Sequence, residues 1–198
     1  MQVLPREFRE TCLLLAALLV AALTTAIDGN AILAAEPARI ELRSDEAQGQ
    51  LQILIDGREA LVYQYGPQLD LPHYYPVRSP SGKLLTIQQT DPYPHHRSVW
   101  FADTVELAGK RKASFYNALY SRKDAKDPQS PFRDHVRHVK FLPQSIEGNV
   151  AKLGMKLVWE MDSNVPVLDE QRQMRIVAWE GGEYFIDLAF TLTASYGD

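Results

Sequence analysis

The densest group of side chains that could carry out chemistry lies in residues 91–101, which read Asp-Pro-Tyr-Pro-His-His-Arg-Ser-Val-Trp-Phe. Imidazole titrates near neutral pH, so His95 and His96 are candidates for general acid–base catalysis. The guanidinium of Arg97 beside them could hold a carboxylate or a developing oxyanion. This segment therefore predicts a catalytic group made of His95, His96 and Arg97.

The two adjacent histidines raise the question of which one faces a ligand. Successive residues of an extended strand point to opposite faces, so we expect only one of His95 and His96 to face a pocket. For the same reason we do not expect both to bind one metal ion, and the sequence leaves open which of them faces the pocket. In the alternative interpretation the segment is a structural corner, in which Arg97 pairs with Asp91 or Asp103.

Aromatic side chains near this segment could form a platform on which sugar rings stack. The predicted platform consists of Tyr74, Tyr75 and Trp100, although aromatic residues are also common in protein cores. His138 precedes the end of an apolar strand pattern and is a further candidate for the pocket. It lies three residues after His135, which is a weak spacing for a metal pair on a strand. We predict neither a metal nor a cofactor.

The overall charge argues against a nucleic-acid partner. The chain has 21 basic and 25 acidic residues and a formal net charge of −4, so it offers no bulk attraction for a polyanion. The sequence also contains no glycine-rich phosphate loop and no nucleophile elbow. The expected ligand is a small molecule or a saccharide.

The N-terminal residues predict export. Residues 1–35 begin with Arg6 and Arg9, continue with an apolar run over residues 13–23 and end in small residues. The run is shorter than the roughly 20 apolar residues that cross a bilayer, but it suits a signal peptide. We therefore predict a periplasmic or secreted protein whose mature chain has no membrane span. The only cysteine, Cys12, lies in the predicted signal, so the mature chain has no disulfide.

Alternating apolar and polar residues predict that residues 36–198 form one all-β domain. The dipeptide Asp56-Gly57 stands between two apolar runs and predicts a hairpin. Three segments in the last third of the chain alternate with a period of two, at residues 153–159, 174–178 and 184–192. This pattern predicts an antiparallel meander, and with it an antiparallel β-sandwich.

The last of these segments places large apolar side chains on one face of a strand near the end of the chain. They are Tyr184, Ile186, Leu188, Phe190 and Leu192. Fully burying such a side chain stabilises a protein by about 1.5–3 kcal/mol, so leaving this face wet would be costly. We expect a sandwich that is incomplete at its C-terminus, with an uncovered sheet through which the chain self-associates.

Two motifs resemble those of a family of secreted bacterial proteins. One is His-Tyr-Tyr-Pro-Val-Arg-Ser-Pro-Ser-Gly at residues 73–82, and the other is Pro-His-His-Arg-Ser-Val-Trp-Phe at residues 94–101. The family is labelled PmoA, or methane oxygenase, and residues 183–188 also fit its pattern. This chain resembles the N-terminal portion of that family. The resemblance implies a galactose-mutarotase-like β-supersandwich from carbohydrate-degrading bacteria.

Residues and resemblance together lead to three hypotheses about function. The leading one is an exported, carbohydrate-associated enzyme in which His95 or His96 performs acid–base chemistry on a saccharide or a saccharide-derived acid, with Arg97 as the anion holder. The alternative is a non-catalytic saccharide-binding module of the cell envelope, which uses the same aromatic side chains without proton transfer. The family label adds a metal-dependent oxygenase as a third hypothesis. The sequence leaves open whether the protein is an enzyme.

Overall fold

The computed structural model describes residues 38–196. The predicted signal peptide, residues 1–35, lies outside the described residues, as do the first two and the last two residues of the predicted domain 36–198. Within the described part of the chain, no helix is long and apolar enough to cross a lipid bilayer.

The first sheet is a five-stranded antiparallel meander whose strands follow one another in chain order. Its strands are β1 (Ile40–Asp45), β2 (Gln50–Ile55), β3 (Arg58–Gln64), β4 (His73–Val77) and β5 (Val99–Trp100). Asp56 and Gly57 connect β2 to β3 with φ angles of +50° and +74°. Both residue types tolerate this left-handed backbone, so the predicted hairpin is confirmed.

A long connection leads from the first sheet to the second. It contains a short antiparallel ribbon of β6 (Thr104–Val105) and β7 (Ala113–Ser114), followed directly by a 3-10 helix, Phe115–Tyr120. Phe115 and Ala118 on this helix are fully buried, so the helix is anchored to the core. Tyr116, Asn117 and Tyr120 of the same helix are exposed.

The second sheet is also antiparallel and holds the longest strands. Its strands are β8 (His135–Phe141), β9 (Ser145–Glu147), β10 (Val150–Met161), β11 (Val165–Ala178) and β12 (Tyr184–Thr193). The spatial order is β12-β11-β10-β8, and β9 pairs with the beginning of β10. The three segments with period two correspond to β10, β11 and β12, so the predicted meander is confirmed.

Side chains from both sheets meet in one core. Ile53, Leu61 and Tyr63 of the first sheet and Trp159 and Ile176 of the second are fully buried and belong to the same apolar cluster. Packing of two antiparallel sheets over a shared core is a β-sandwich. The all-β sandwich predicted from the sequence is therefore the observed fold.

Strand β12 forms one edge of the second sheet and is partly covered. Its inward-facing residues Tyr184, Ile186 and Leu188 are half-buried and pack against the core. Phe190 is also half-buried and stacks on Phe101 with ring centroids 4.2 Å apart, whereas Leu192 is 41% exposed. This face is therefore partly covered, and both the incomplete sandwich and self-association through this face stay predictions.

Candidate functional site

His95 and His96 lie in a turn and not in a strand. The amide of Tyr93 donates to the carbonyl of Thr90, and the amide of His96 donates to the carbonyl of Tyr93, each over 2.9 Å. Because this backbone is folded and β5 begins only at Val99, the rule of opposite faces does not apply. The two imidazole rings lie together, with centroids 4.4 Å apart. The expected opposite orientation of the two rings is therefore wrong, and which of them faces a ligand stays a prediction.

Each imidazole has its own phenol partner on the 3-10 helix. Nδ1 of His95 lies 3.2 Å from the hydroxyl of Tyr120, and Nε2 of His96 lies 2.8 Å from the hydroxyl of Tyr116. Tyr93 stacks on His96 with centroids 5.1 Å apart. We call these five residues the histidine–tyrosine cluster. Neither phenol partner was predicted from the sequence. The only sequence signal for them is that Tyr116 and Tyr120 are four residues apart and follow a short strand.

The cluster is open to solvent and contains a proton acceptor. Tyr93 and Tyr120 are each 56% exposed and Tyr116 is 39% exposed. Partial burial, followed by the positive charges of His96 and Arg97, lowers the pKa of His95 from its usual 6.5. His95 is therefore neutral at neutral pH and able to accept a proton.

Arg97 points away from the cluster and into the protein. Its side chain is only 2% exposed and forms an ion pair with Asp70, whose side chain is 4% exposed. It also donates from Nη1 to the carbonyl of Pro94 over 3.1 Å. The alternative partners Asp91 and Asp103 are therefore wrong. Because Asp70 already neutralises its charge, Arg97 offers no free cation to a ligand. It instead stabilises the loop that carries the histidines, through its hydrogen bond to the carbonyl of Pro94.

A polar pocket lies on the other side of Arg97. It has a volume of about 380 Å³, and none of the five cluster residues lines it. Its lining includes Gln89 and Arg97, on either side of the two histidines in the chain, and Leu119 of the 3-10 helix. We call it the glutamine pocket, because its polar lining includes the side chains of Gln64, Gln68, Gln88 and Gln89, together with His73 and Tyr75. Such a volume is at the lower end for small-molecule sites and suits a sugar-sized ligand.

The three residues of the predicted stacking platform have different environments. Tyr75 is half-buried and lines the glutamine pocket. Trp100 is half-buried next to Tyr116 of the cluster, with ring centroids 5.0 Å apart. Tyr74 is only 1% exposed, and its burial raises the pKa of its hydroxyl to about 12. Tyr74 is therefore a core residue, and its predicted contact with a ligand is wrong.

A larger cleft of about 590 Å³ lies next to β12. Its lining is mainly apolar, with Leu85, Trp179 and Ile186 among the residues. None of the side chains predicted for catalysis or binding lines it. We therefore place the candidate site at the histidine–tyrosine cluster and the glutamine pocket.

Comparison with known proteins places the chain in a family. Residues 50–198 match the model of a family of unknown function, DUF6807. The chain belongs to this family. The matched residues include the whole histidine–tyrosine cluster and the whole glutamine pocket. No curated protein and no solved structure matches this DUF6807 protein, and the resemblance to the PmoA-labelled family stays a prediction.

Within residues 38–196, no group of three or more His, Cys, Asp or Glu side chains is arranged to hold a metal ion. His135 pairs with Glu160 over 2.9 Å, whereas His138 lies 3.2 Å from the hydroxyl of Tyr63. The two histidines of β8 therefore have separate partners.

His138 is not part of the pocket. Its ring packs against Tyr65 and Phe141, with centroids 4.7 and 4.5 Å away. Burial, followed by the positive charge of Arg172, lowers its pKa from 6.5 to about 4. The sequence-based expectation that His138 joins the ligand site is wrong, because β8 carries its ring to a different aromatic cluster.

The depressed pKa of His138 predicts a loss of stability in acid. Between about pH 6.5 and about pH 4 the unfolded chain binds a proton at His138 that the folded protein does not bind, so stability falls as the pH is lowered through this window. Urea denaturation at pH 7 and pH 4.5 should show a smaller acid-induced loss for His138→Phe than for the unmodified protein. Equal losses for the two proteins would contradict this assignment.

Proposed function

We propose that this protein is an exported, carbohydrate-associated enzyme that moves protons at a saccharide bound next to the histidine–tyrosine cluster. The observation that carries the proposal is the exposed pair of imidazoles, each hydrogen-bonded to its own phenol and located next to a polar pocket of sugar size. Export is supported by the N-terminal pattern of residues 1–35. The saccharide class is supported by the amide-rich lining and the exposed aromatic rings.

His95 is the proposed general base. When Nδ1 carries the proton and donates it to the oxygen of Tyr120, Nε2 keeps the lone pair that can take a proton from a sugar hydroxyl. The hydroxyl of Tyr120 thus orients the ring. The neighbouring His96, held by Tyr116, can return a proton to the sugar, and the ring of Tyr93 provides an apolar surface.

The pH dependence of turnover tests this role. Reducing monosaccharides and oligosaccharides are followed by polarimetry for changes at the anomeric carbon and by chromatography for bond cleavage. Because the pKa of His95 is lowered from 6.5, we expect kcat/KM to hold at neutral pH and to fall only below pH 6.5. The His95→Gln variant should lose on the order of 100-fold in kcat and should lack this limb.

The matched control is His138→Gln, which removes an imidazole outside the cluster and the pocket. It should retain kcat/KM on the same sugars at pH 7. Comparable losses for His95→Gln and His138→Gln would refute the proposed role of His95.

A non-catalytic saccharide-binding module is the second candidate function. The exposed rings of Tyr93, Tyr116 and Tyr120 favour it, because exposed aromatic side chains provide stacking surfaces without any need for proton transfer. Calorimetric titration and the turnover measurement on the same sugars together separate the two functions. A binding module binds these sugars and converts none of them, whereas the proposed enzyme binds and converts at least one.

A further inference from the structure

We infer that Arg122 binds the carboxylate of an acidic saccharide in the glutamine pocket. The inference deepens the proposed function and rests on it, because it names the class of saccharide as a hexuronate or a related sugar acid. It also moves the role of anion holder from Arg97, where the sequence suggested it, to a residue that the sequence analysis did not single out.

The charged residues that line the glutamine pocket leave one positive charge without a counter-charge. Asp70, Arg97 and Arg122 are the lining residues with a permanent charge. The first two neutralise each other in a buried ion pair. His73 also lines the pocket, and burial lowers its pKa, so it is neutral at pH 7. The positive charge of Arg122 is therefore left over, and the pocket as a whole attracts an anion.

The guanidinium of Arg122 is held in place but keeps hydrogen-bond donors for a ligand. Its guanidinium lies over the ring of Phe132 at 4.0 Å and donates from Nη1 to the carbonyl of Ser130. Both partners are uncharged, and among the described residues no carboxylate lies within ion-pair distance of Arg122. A guanidinium has five N–H donors in a planar fork that matches a carboxylate. Phe132 and Ser130 thus hold the group in place and leave donors for a ligand.

The glutamine side chains that line the pocket provide uncharged hydrogen-bonding groups. Gln68 and Gln89 are exposed and make no side-chain hydrogen bond to the described residues, so their amides can both donate to and accept from sugar hydroxyls. Gln64 already donates to the carbonyl of Tyr75 over 2.7 Å, which orients its amide. Polar neutral groups around one cation suit a ligand with many hydroxyls and one carboxylate.

The open space around Arg122 extends beyond the glutamine pocket. The residue also lines a neighbouring pocket of about 570 Å³, together with Gln68 and Gln129. A sugar acid held at Arg122 therefore has space on both sides of its carboxylate. This arrangement accepts an acidic unit within a longer chain as well as a single sugar acid.

The test is calorimetric titration of the folded protein with D-galacturonate, D-glucuronate, D-galactose and D-glucose. We expect the acids to bind about 10- to 100-fold more tightly than the neutral sugars, and we expect this preference to shrink as sodium chloride is raised. Equal affinity for acids and neutral sugars in the unmodified protein would overturn the inference without the need for any variant.

Variants locate the binding group. Arg122→Gln should lose the preference for acids while its weak affinity for neutral sugars stays within about twofold, and Arg122→Lys should keep part of the preference because it retains the charge. The control is Lys123→Gln, which removes the neighbouring positive charge but not a pocket residue. An equal loss in Lys123→Gln would show nonspecific attraction and contradict the assignment.

Failure of the inference about Arg122 can be distinguished from failure of the proposed catalytic function. His95→Gln should bind galacturonate normally and lose turnover. If turnover is unaffected in His95→Gln but acids still require Arg122, only the catalytic proposal fails. If His95→Gln abolishes turnover of a neutral sugar and no acid preference is found, only the role of Arg122 fails.

Discussion

Replacing Arg97 with alanine should lower the free energy of unfolding by about 3–5 kcal/mol. Arg97 and Asp70 form an ion pair in which both side chains are almost fully buried. Removing the guanidinium leaves the carboxylate of Asp70 in the interior without its counter-charge, and burying an unpaired charge is far more costly than losing an exposed pair. Urea denaturation at pH 7 provides the measurement.

The matched control for this prediction is Arg175→Ala. Arg175 pairs with Asp187 over 2.8 Å, but the two side chains are 50% and 56% exposed. Exposed pairs contribute about 0–1 kcal/mol, so the control should change little. The double variant Arg97→Ala with Asp70→Ala should recover part of the loss, since the stranded charge is gone. A loss below about 1 kcal/mol for Arg97→Ala would contradict the buried-pair argument.

Replacing Glu170 with alanine should be similarly destabilising. Glu170 accepts a hydrogen bond from Nε1 of Trp159 over 2.7 Å and from Nε of Arg172 over 2.6 Å. The side chains of Glu170 and Arg172 are both 0% exposed, and Nη1 and Nη2 of Arg172 make no hydrogen bond to the described residues. Losing Glu170 thus leaves a buried cation uncompensated, at a cost of about 3–5 kcal/mol.

A second effect adds to this loss. Without Glu170 the buried N–H of Trp159 has no acceptor, which costs about 1–3 kcal/mol. Since domains are typically stable by only about 5–15 kcal/mol, Glu170→Ala should be barely folded at 25 °C. Near-UV circular dichroism and chemical denaturation measure this.

The apolar double variant Glu170→Leu with Arg172→Met provides the foldable counterpart. It removes both charges at similar volume, so its stability should lie well above that of Glu170→Ala. Asp187→Ala, which removes a carboxylate from an exposed pair on β12, is the control for a carboxylate lost at the surface. A Glu170→Ala protein as stable as this control would sink the prediction.

The buried pair of Arg97 with Asp70 makes Arg97 an unsuitable position for testing ligand contacts. Loss of activity in Arg97→Ala would reflect a disturbed histidine loop as much as any contact with a ligand, because Arg97 also holds the carbonyl of Pro94. Arg122 is free of this difficulty, since it is half-exposed and pairs with no buried charge. Binding experiments on the pocket should therefore use Arg122.

Features that depend on neighbours in sequence could be predicted well. The hairpin at Asp56 and Gly57 requires only two residues that tolerate positive φ. The meander of β10, β11 and β12 follows from a side-chain period of two, which is a property of each strand by itself. The all-β sandwich then follows, because two half-apolar sheets must cover each other.

The candidate site depends on contacts between distant residues and could be predicted only in part. The segment with His95, His96 and Arg97 was found from its residue types. Its partners were not, because Asp70 lies 27 residues away from Arg97 and Tyr120 lies 25 residues away from His95. No local rule connects such positions, and the connection passing through β6, β7 and the 3-10 helix has no strong periodicity to follow.

The sequence by itself determined the class of the fold, the strand pattern and the segment in which reactive side chains are concentrated. Only the tertiary structure decided which side chains are free to act. Tyr74 and Tyr75 are neighbours, yet one is in the core and the other lines a pocket, since strand packing selects one face for burial. Arg97 and Arg122 are equally charged, yet only Arg97 meets a buried carboxylate. Charge and hydrogen-bonding capacity are intrinsic to a residue, whereas their satisfaction depends on what the fold places within a few ångströms.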